Sequence, residues 1–386
     1  MTLSKNNKHV EQANSALTRR TFLKKSGASA VTLGALSLTG AAFAAGNGAP
    51  TLALSSEWDK TFAKSDKVEH RKVSYRTRYG LTLAADLYVP KNMTGKHPAL
   101  AVSGPFGAVK EQSSGLYAQT MAERGFIALA FDPSYTGESS GEPRHVASPD
   151  INTEDFSASV DFLGSLPNVD RDRIGVIAVC GYSGMALTAA TSDSRIKAVA
   201  TASMYDMSRS MSRSYKDSYT MEQRHKVLDY LGQQRWADVD RGSYGLGYHE
   251  VPFDDNGHII TSQRMLPETL PTNPDPVLAM FFDYYRTKRG FHSRSVISSS
   301  AWTATTPMSF FSFPMYANIE MIAPRPVLLI AGDNAHSRYY SEDVHKLSPD
   351  NAELMIIPDA DHVDLYDQMD KIPFEKLTAF FQKNLA

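Results

Sequence analysis

Two hydrophobic periods alternate along most of this chain. "VEHRKVSYRTRYG" and "LTLAADLYVP" alternate apolar and polar positions in period two, which predicts a hairpin turning at Gly80. "HPALAVSG", "FIALAFDPS", "RIGVIAVC", "IKAVATASM", "RPVLLIAGD" and "ELMIIPDADH" are short apolar runs, most of them continuous, the pattern of strands buried on both faces. Between them, "SGLYAQTMAERG", "DINTEDFSASVDFLGSLP", the segment from Gly184, "SEDVHKL" and "PFEKLTAFFQKNL" read as helices. The first ends on Gly125, and the second offers Asp150 or Asn152 as its N-cap. Strands alternating with helices predict an α/β fold: a mostly parallel, doubly wound sheet covered on both faces.

The alternation breaks between Tyr205 and Ile322. That stretch is rich in Tyr, Arg, Phe and Met, with helical pieces and Pro/Gly-bearing loops. It reads as a large cap insertion, residues 205–322, over one end of the sheet. The layout expected is then an N-terminal address over 1–44, an extension over 45–67 and one catalytic domain over 68–386.

The address rests on "LTRRTFLKK", with paired Arg19 and Arg20, followed by the weakly apolar "GASAVTLGALSLTGAAFA" and the small-x-small site Ala42-Phe43-Ala44. This resembles a bacterial twin-arginine signal peptide and implies the twin-arginine export machinery as a partner and a periplasmic or secreted protein. Too many Gly, Ser and Thr residues interrupt the run for a convincing membrane span, so stable membrane insertion after signal cleavage is not expected.

Composition adds exclusions. The chain has 386 residues, 42% hydrophobic and 21% charged, enough apolar material for a large core. With 40 basic and 42 acidic residues, nothing supplies the basic face that nucleic acid requires. Arg71, Lys72, Arg76 and Arg78 read as the solvated face of an early strand. The eleven histidines are scattered and no zinc, EF-hand, P-loop or dinucleotide motif is present, so neither metal nor cofactor is expected.

Chemistry gathers at strand ends, where open parallel sheets place their sites. Cys180, the only cysteine, ends "RIGVIAVC"; Asp333 ends "RPVLLIAGD"; His362 follows the last strand in "DADHVDLYD". Nucleophile, acid and base is the chain order of an acyl-transfer triad, in which a base activates the nucleophile and an anion orients the imidazole. Ser183, three residues after Cys180, is the alternative nucleophile. Asp206 and Glu342 are alternative acids, and His336 and His345 are weaker bases.

On these residues, and on "GPFGAVKEQSSGLYAQTMAERGFIALAFDPSYTGESSGEPR", "DRIGVIAVCGYSGMAL" and "LLIAGDNAHSRYYSED", the chain resembles an α/β-hydrolase of the dienelactone-hydrolase-like branch from about Val68 onward. That branch characteristically uses a cysteine in a G-x-C-x-G elbow, which favours Cys180. The elbow here departs from the family's small-x-nucleophile-x-small pattern: Tyr182 trails Cys180, and Met185 trails Ser183. The resemblance implies hydrolysis of a carboxylic ester, thioester or lactone, with an oxyanion hole from the backbone N–H groups of Gly181 and Phe106. Tyr182, Trp302, Phe310 and Phe311 are the candidates to line the substrate pocket. A non-catalytic binding protein for an apolar ligand, or an acyltransferase, are the alternatives.

Overall fold

The computed structural model describes residues 52–386. The expected signal peptide, 1–44, lies outside the described residues.

Eight strands form one sheet: β1 (Val68–Arg76), β2 (Thr82–Pro90), β3 (His97–Ser103), β4 (Ile127–Phe131), β5 (Val169–Val179), β6 (Ile196–Ala202), β7 (Val327–Gly332) and β8 (Ala352–Ile357). Their spatial order is β1-β2-β4-β3-β5-β6-β7-β8. The hairpin pairs Val68 with Pro90 through to Arg76 with Thr82, and β2 also runs antiparallel to β4. All other neighbours are parallel. The apolar runs are continuous because both faces are covered. In β3, Ala99 and Ala101 face one core while Leu100 and Val102 face the other. In β5, Val176 and Ala178 split in the same way from Ile177 and Val179.

The first face carries α2 (Pro149–Ser165) and α3 (Tyr182–Ser192), through Phe156, Val160, Leu163 and Leu187. The second carries α1 (Ser113–Ala122) and a closing C-terminal helix (Phe374–Asn384), through Tyr117, Met121, Leu377 and Phe381. Each such fully buried large side chain contributes roughly 2 kcal/mol. Helix α2 starts two residues before the earlier of the two N-caps the sequence suggests. Its N-cap is Ser148, with Pro149 at the first helical position and the Asn152 carbonyl oxygen accepting from the Ser148 N–H at 3.0 Å.

Between β6 and β7 lie α4 (Met207–Arg213), α5 (Met221–Arg241) and α6 (Pro276–Arg286), with short helical turns at Val296–Ser299 and Pro307–Phe310. Helix α5 is closed by a Thr220–Gln223 capping box and by Gly242 at φ 68°. Val227, Leu231 and Val251 form a small core of this segment's own. The basic cluster of β1 is not uniformly solvated. Arg71, Arg76 and Arg78 are exposed, but the Lys72 ammonium turns inward to Glu111 and Glu138, because β1 places 71 and 72 on opposite faces.

Candidate active site

Strand β5 ends at Val179, and Cys180 makes the turn into α3 with φ 59°. A side chain in this left-handed region costs about 1–2 kcal/mol. The turn is held from both sides. The Cys180 N–H donates to Ala202 O at 2.9 Å, and Cys180 O accepts from the N–H groups of Ser183 and Tyr205, both at 3.1 Å. Close packing here explains the unusual elbow sequence. A Cβ at Gly181 would stand 2.5 Å from Phe106 Cβ, and one at Gly184 would stand 2.6 Å from Met315 Sδ. The positions that must be small are therefore 181 and 184, and Tyr182 is free to pack its ring against Phe106, 5.5 Å between centroids.

The backbone N–H groups of Phe106 and Gly181 pull the Cys180 thiol pKa down. Cys180 is 7% exposed, and burial pushes its thiol up to about 11 against the pull of these donors and of the Tyr366 hydroxyl. Ser183 is fully buried within the first turn of α3, and its hydroxyl donates to Ala178 O at 3.1 Å. No hydrogen bond joins it to His362.

His362 is also fully buried. Its carbonyl accepts from Ser203 Oγ at 2.8 Å, its Nδ1 lies 2.5 Å from Ser337 Oγ, and its Nε2 lies 2.9 Å from the Tyr366 hydroxyl. Burial, aided by His336 with its ring 4.8 Å away, holds the imidazole well below its ordinary pKa. At about pH 7 thiol and imidazole are therefore both neutral. Burial, with a smaller push from Cys180, raises the Tyr205 and Tyr285 hydroxyls well above their ordinary range and holds them protonated.

The acid is where sequence and structure part. Asp333 is exposed, and no hydrogen bond or ion pair joins it to His362; its backbone N–H donates to Ile357 O at 3.0 Å, which ties the residue into the β7–β8 edge. Asp206 caps α4 through the Arg209 N–H, and Glu342 pairs with Arg338. Ser337, at the start of α7 (Arg338–Leu347), takes the imidazole contact instead. His336 is bonded by the Tyr205 hydroxyl, and His345 Nδ1 by Ala352 O.

Phe106 collects Tyr182, His249, Trp302 and Phe310 at 4.2–6.1 Å between centroids, and Tyr182, Trp302 and Phe310, expected to line a substrate pocket, are buried in the core with it. Trp302 Nε1 and the Tyr182 hydroxyl are buried there without partners. Phe311 is not part of this cluster. The helical turn at Pro307–Phe310 sends it to the other side, against the small core of Val227, Leu231 and Val251. Arg144 braces its own loop by donating to the carbonyls of Gly137, Ser139 and Gly141. Among the described residues no cluster of His, Cys, Asp and Glu is grouped to hold a metal ion.

Ser337 and Tyr366 carry no catalytic motif in the sequence. Tyr366 had a signal: it follows His362 by four residues, the spacing of one helical face. Ser337 had none beyond its place near the end of β7.

Residues 80–242 match the family model of the X-Pro dipeptidyl-peptidases of the S15 family. The uncharacterised protein PA2218 of Pseudomonas aeruginosa is 56% identical over 86% of this chain and 86% of its own length. Its crystal structure superposes with a TM-score of 0.80, covering 87% of this chain and 99% of that one. More distant relatives match over a shorter stretch. The acyltransferase drtE of Aspergillus calidoustus is 33% identical over 36% of this chain and 44% of its own. The thiohydrolase aneE of Aspergillus aculeatus is 32% identical over 35% and 42%. The α/β hydrolase GrgF of Penicillium shares the fold at 19% identity, with a TM-score of 0.65 over 82% of this chain and 99% of that one. With PA2218 alike over most of its length, the chain belongs to the family of PA2218, and its strand order is that of the α/β-hydrolase fold.

Proposed function

We propose that this protein cleaves a carboxylic ester, thioester or lactone, with Cys180 as nucleophile and His362 as base, in the manner of the dienelactone-hydrolase-like branch. One observation carries the reading: Cys180 is held at a strand-to-helix elbow with φ 59°, where the backbone N–H groups of Phe106 and Gly181 favour its anion, and the buried His362 follows the last strand. When the thiol attacks a carbonyl, the oxygen that gains charge enters the reach of these donors, each worth about 3 kcal/mol in the transition state. His362 returns the proton to the leaving alcohol or thiol, and water then releases the acyl group. These steps need only side chains, backbone and water. The rings about Phe106 suit an apolar or aryl acyl group. The names thiohydrolase and acyltransferase among the relatives support the same bond class.

The test is turnover of a p-nitrophenyl ester and of an acyl thioester. Cys180→Ala abolishes both and removes labelling by an iodoacetamide probe, whereas Ser183→Ala retains turnover. Retained activity in Cys180→Ala with loss in Ser183→Ala would move the nucleophile. If neither change matters and no ester turns over, the chain is a binder of apolar ligands.

A second reading has its own support. Cys180 is 7% exposed and His362 is fully buried, which shelters an acyl-enzyme from water and favours transfer to an acceptor. An acyltransferase makes product only when an alcohol or amine is supplied. The first 44 residues we propose as a twin-arginine export signal. Replacing Arg19 and Arg20 by lysine then leaves the protein in the cytoplasmic fraction.

A further inference from the structure

We infer that Ser337 is the positioning residue of the base: its hydroxyl holds His362 at Nδ1, in the place where an acidic side chain was expected. The inference rests on the reading of His362 as base in the reaction proposed above. Ser337 Oγ lies 2.5 Å from Nδ1, and serine and histidine are both buried, at 1% and 0% exposed. Among the described residues His362 forms no hydrogen bond with a carboxylate.

The serine is not spent on its own helix. Ser337 is the N-cap of α7, where a hydroxyl ordinarily accepts from a backbone N–H two or three residues on, yet its side chain makes no such bond. The backbone around it is fixed instead. Ser337 O accepts from the Tyr340 N–H at 3.1 Å, and Ala335 O accepts from the Arg338 N–H at 3.0 Å. On the far side of the imidazole, Nε2 lies 2.9 Å from the Tyr366 hydroxyl, and Ser203 Oγ donates to the His362 carbonyl at 2.8 Å. Turning the ring over would break the contacts at both nitrogens.

The tautomer follows from the role. A base that takes up a proton at Nε2 carries its own hydrogen on Nδ1, and Ser337 Oγ accepts it. In the reaction the S–H bond of Cys180 breaks and its proton ends as an N–H bond at Nε2, while Nδ1 keeps its hydrogen on the serine oxygen. The groups that face the imidazole are His336 at 4.8 Å, Tyr205 after β6 at 5.3 Å and Tyr366 at 5.4 Å between ring centroids, with Phe281 of α6 at 5.6 Å. Asp361, its neighbour in the chain, is exposed. None of these supplies a buried negative charge. The hydroxyl therefore sets the direction and tautomer of the ring without stabilising the imidazolium as a carboxylate does, and that cation forms only as the thiol attacks.

The experiment compares wild type with Ser337→Ala, Ser337→Thr and Ser337→Asp on p-nitrophenyl butyrate. Ser337→Ala lowers kcat by about 10- to 100-fold with KM little changed, the cost of a base roughly 1 Å out of place. Ser337→Thr keeps the hydroxyl and recovers most of that loss. Ser337→Asp supplies the missing charge and favours the imidazolium, so the acid limb of kcat/KM moves up by about 1 pH unit or more. Lost packing alone moves no such limb. A Ser337→Ala enzyme with wild-type kcat, a Ser337→Thr enzyme as slow as Ser337→Ala, or an unmoved limb in Ser337→Asp overturns the assignment. If the variants do not fold or no ester turns over, nitrogen NMR of the wild-type protein decides. His362 with its hydrogen on Nδ1 is the expected tautomer, and a hydrogen on Nε2 overturns the role. That spectrum does not depend on the nucleophile. Full activity in Cys180→Ala therefore marks the failure of the nucleophile assignment alone.

Discussion

Cys180 sits under opposing demands. The elbow forces φ to 59°, burial disfavours its anion, and three hydrogen-bond donors favour it. Burial wins, with the thiol pushed up to about 11. The sign of the pH effect follows. The folded protein keeps a proton that the unfolded chain loses near the ordinary thiol value of about 8.5. Stability from this group is thus fully present below that value and declines as pH rises toward about 11. Two readouts check this. Iodoacetamide alkylation of the native protein keeps accelerating with pH where the unfolded chain has levelled off. The alkaline loss of stability is smaller in Cys180→Ala. A native alkylation profile that levels off at the ordinary thiol value would contradict a desolvated sulfur. At the same scale, the Ser183 hydroxyl spends its proton on Ala178 O, inside α3.

At the scale of elements, the site depends on a loop seated on a strand end. Gly332 closes β7, and a Cβ there would overlap the Ala360 carbonyl in the loop that carries His362. Gly332→Ala must displace backbone, because the obstructing atom is a carbonyl oxygen and no side chain can swing aside. The expected result is a loss of kcat of about 10-fold or more, since a small misplacement of a reacting group is costly. The thermal midpoint falls by a few degrees. Unchanged turnover in Gly332→Ala would show that the loop's seat does not place the base. This contact also marks the boundary of what the sequence conveys. The strands were legible because apolar runs of this length must be buried, and the strand ends then located Cys180 and His362. Reach was not legible. Asp333 stands at the expected strand end, yet its side chain stays in solvent while Ser337 takes the imidazole. Phe310 and Phe311 differ by one position, and a single helical turn separates their destinations. Lys72 was hidden among arginines because only pairing partners reveal which neighbour turns inward.

On the scale of the whole molecule, the loop that carries Phe106 is anchored by buried charge. Lys110 is fully buried and places its ammonium 2.8 Å from Asp132, 2.8 Å from Glu111 and 2.5 Å from Glu138. Its backbone N–H also donates to Asp132 Oδ1 at 2.8 Å, four residues beyond Phe106. Lys72 from the hairpin and Arg294 from the segment between β6 and β7 reach the same carboxylates, and Arg294 continues to Asp59 in the N-terminal stretch. Segments far apart in the chain thus meet beside the loop that carries Phe106. A buried pair adds little over an apolar equivalent, but removing one partner strands the others, at about 3–5 kcal/mol. Lys110→Met should therefore lower the unfolding free energy measured in urea by that much. Adding Asp132→Asn should recover part of it, since one stranded charge is gone. The neighbouring cations hold Glu111 below its ordinary range and Glu138 down to about 2. Their stabilisation is present above the ordinary glutamate value of about 4.3 and is lost as pH falls below it. Burial raises Asp132 and opposes this trend, so the acid slope is the net of the group. Lys110→Met should flatten that slope as well as lower the plateau, because the cation that depresses both glutamates is removed. A variant that melts like wild type at neutral pH and keeps the same acid profile would mean the network does not hold the loop.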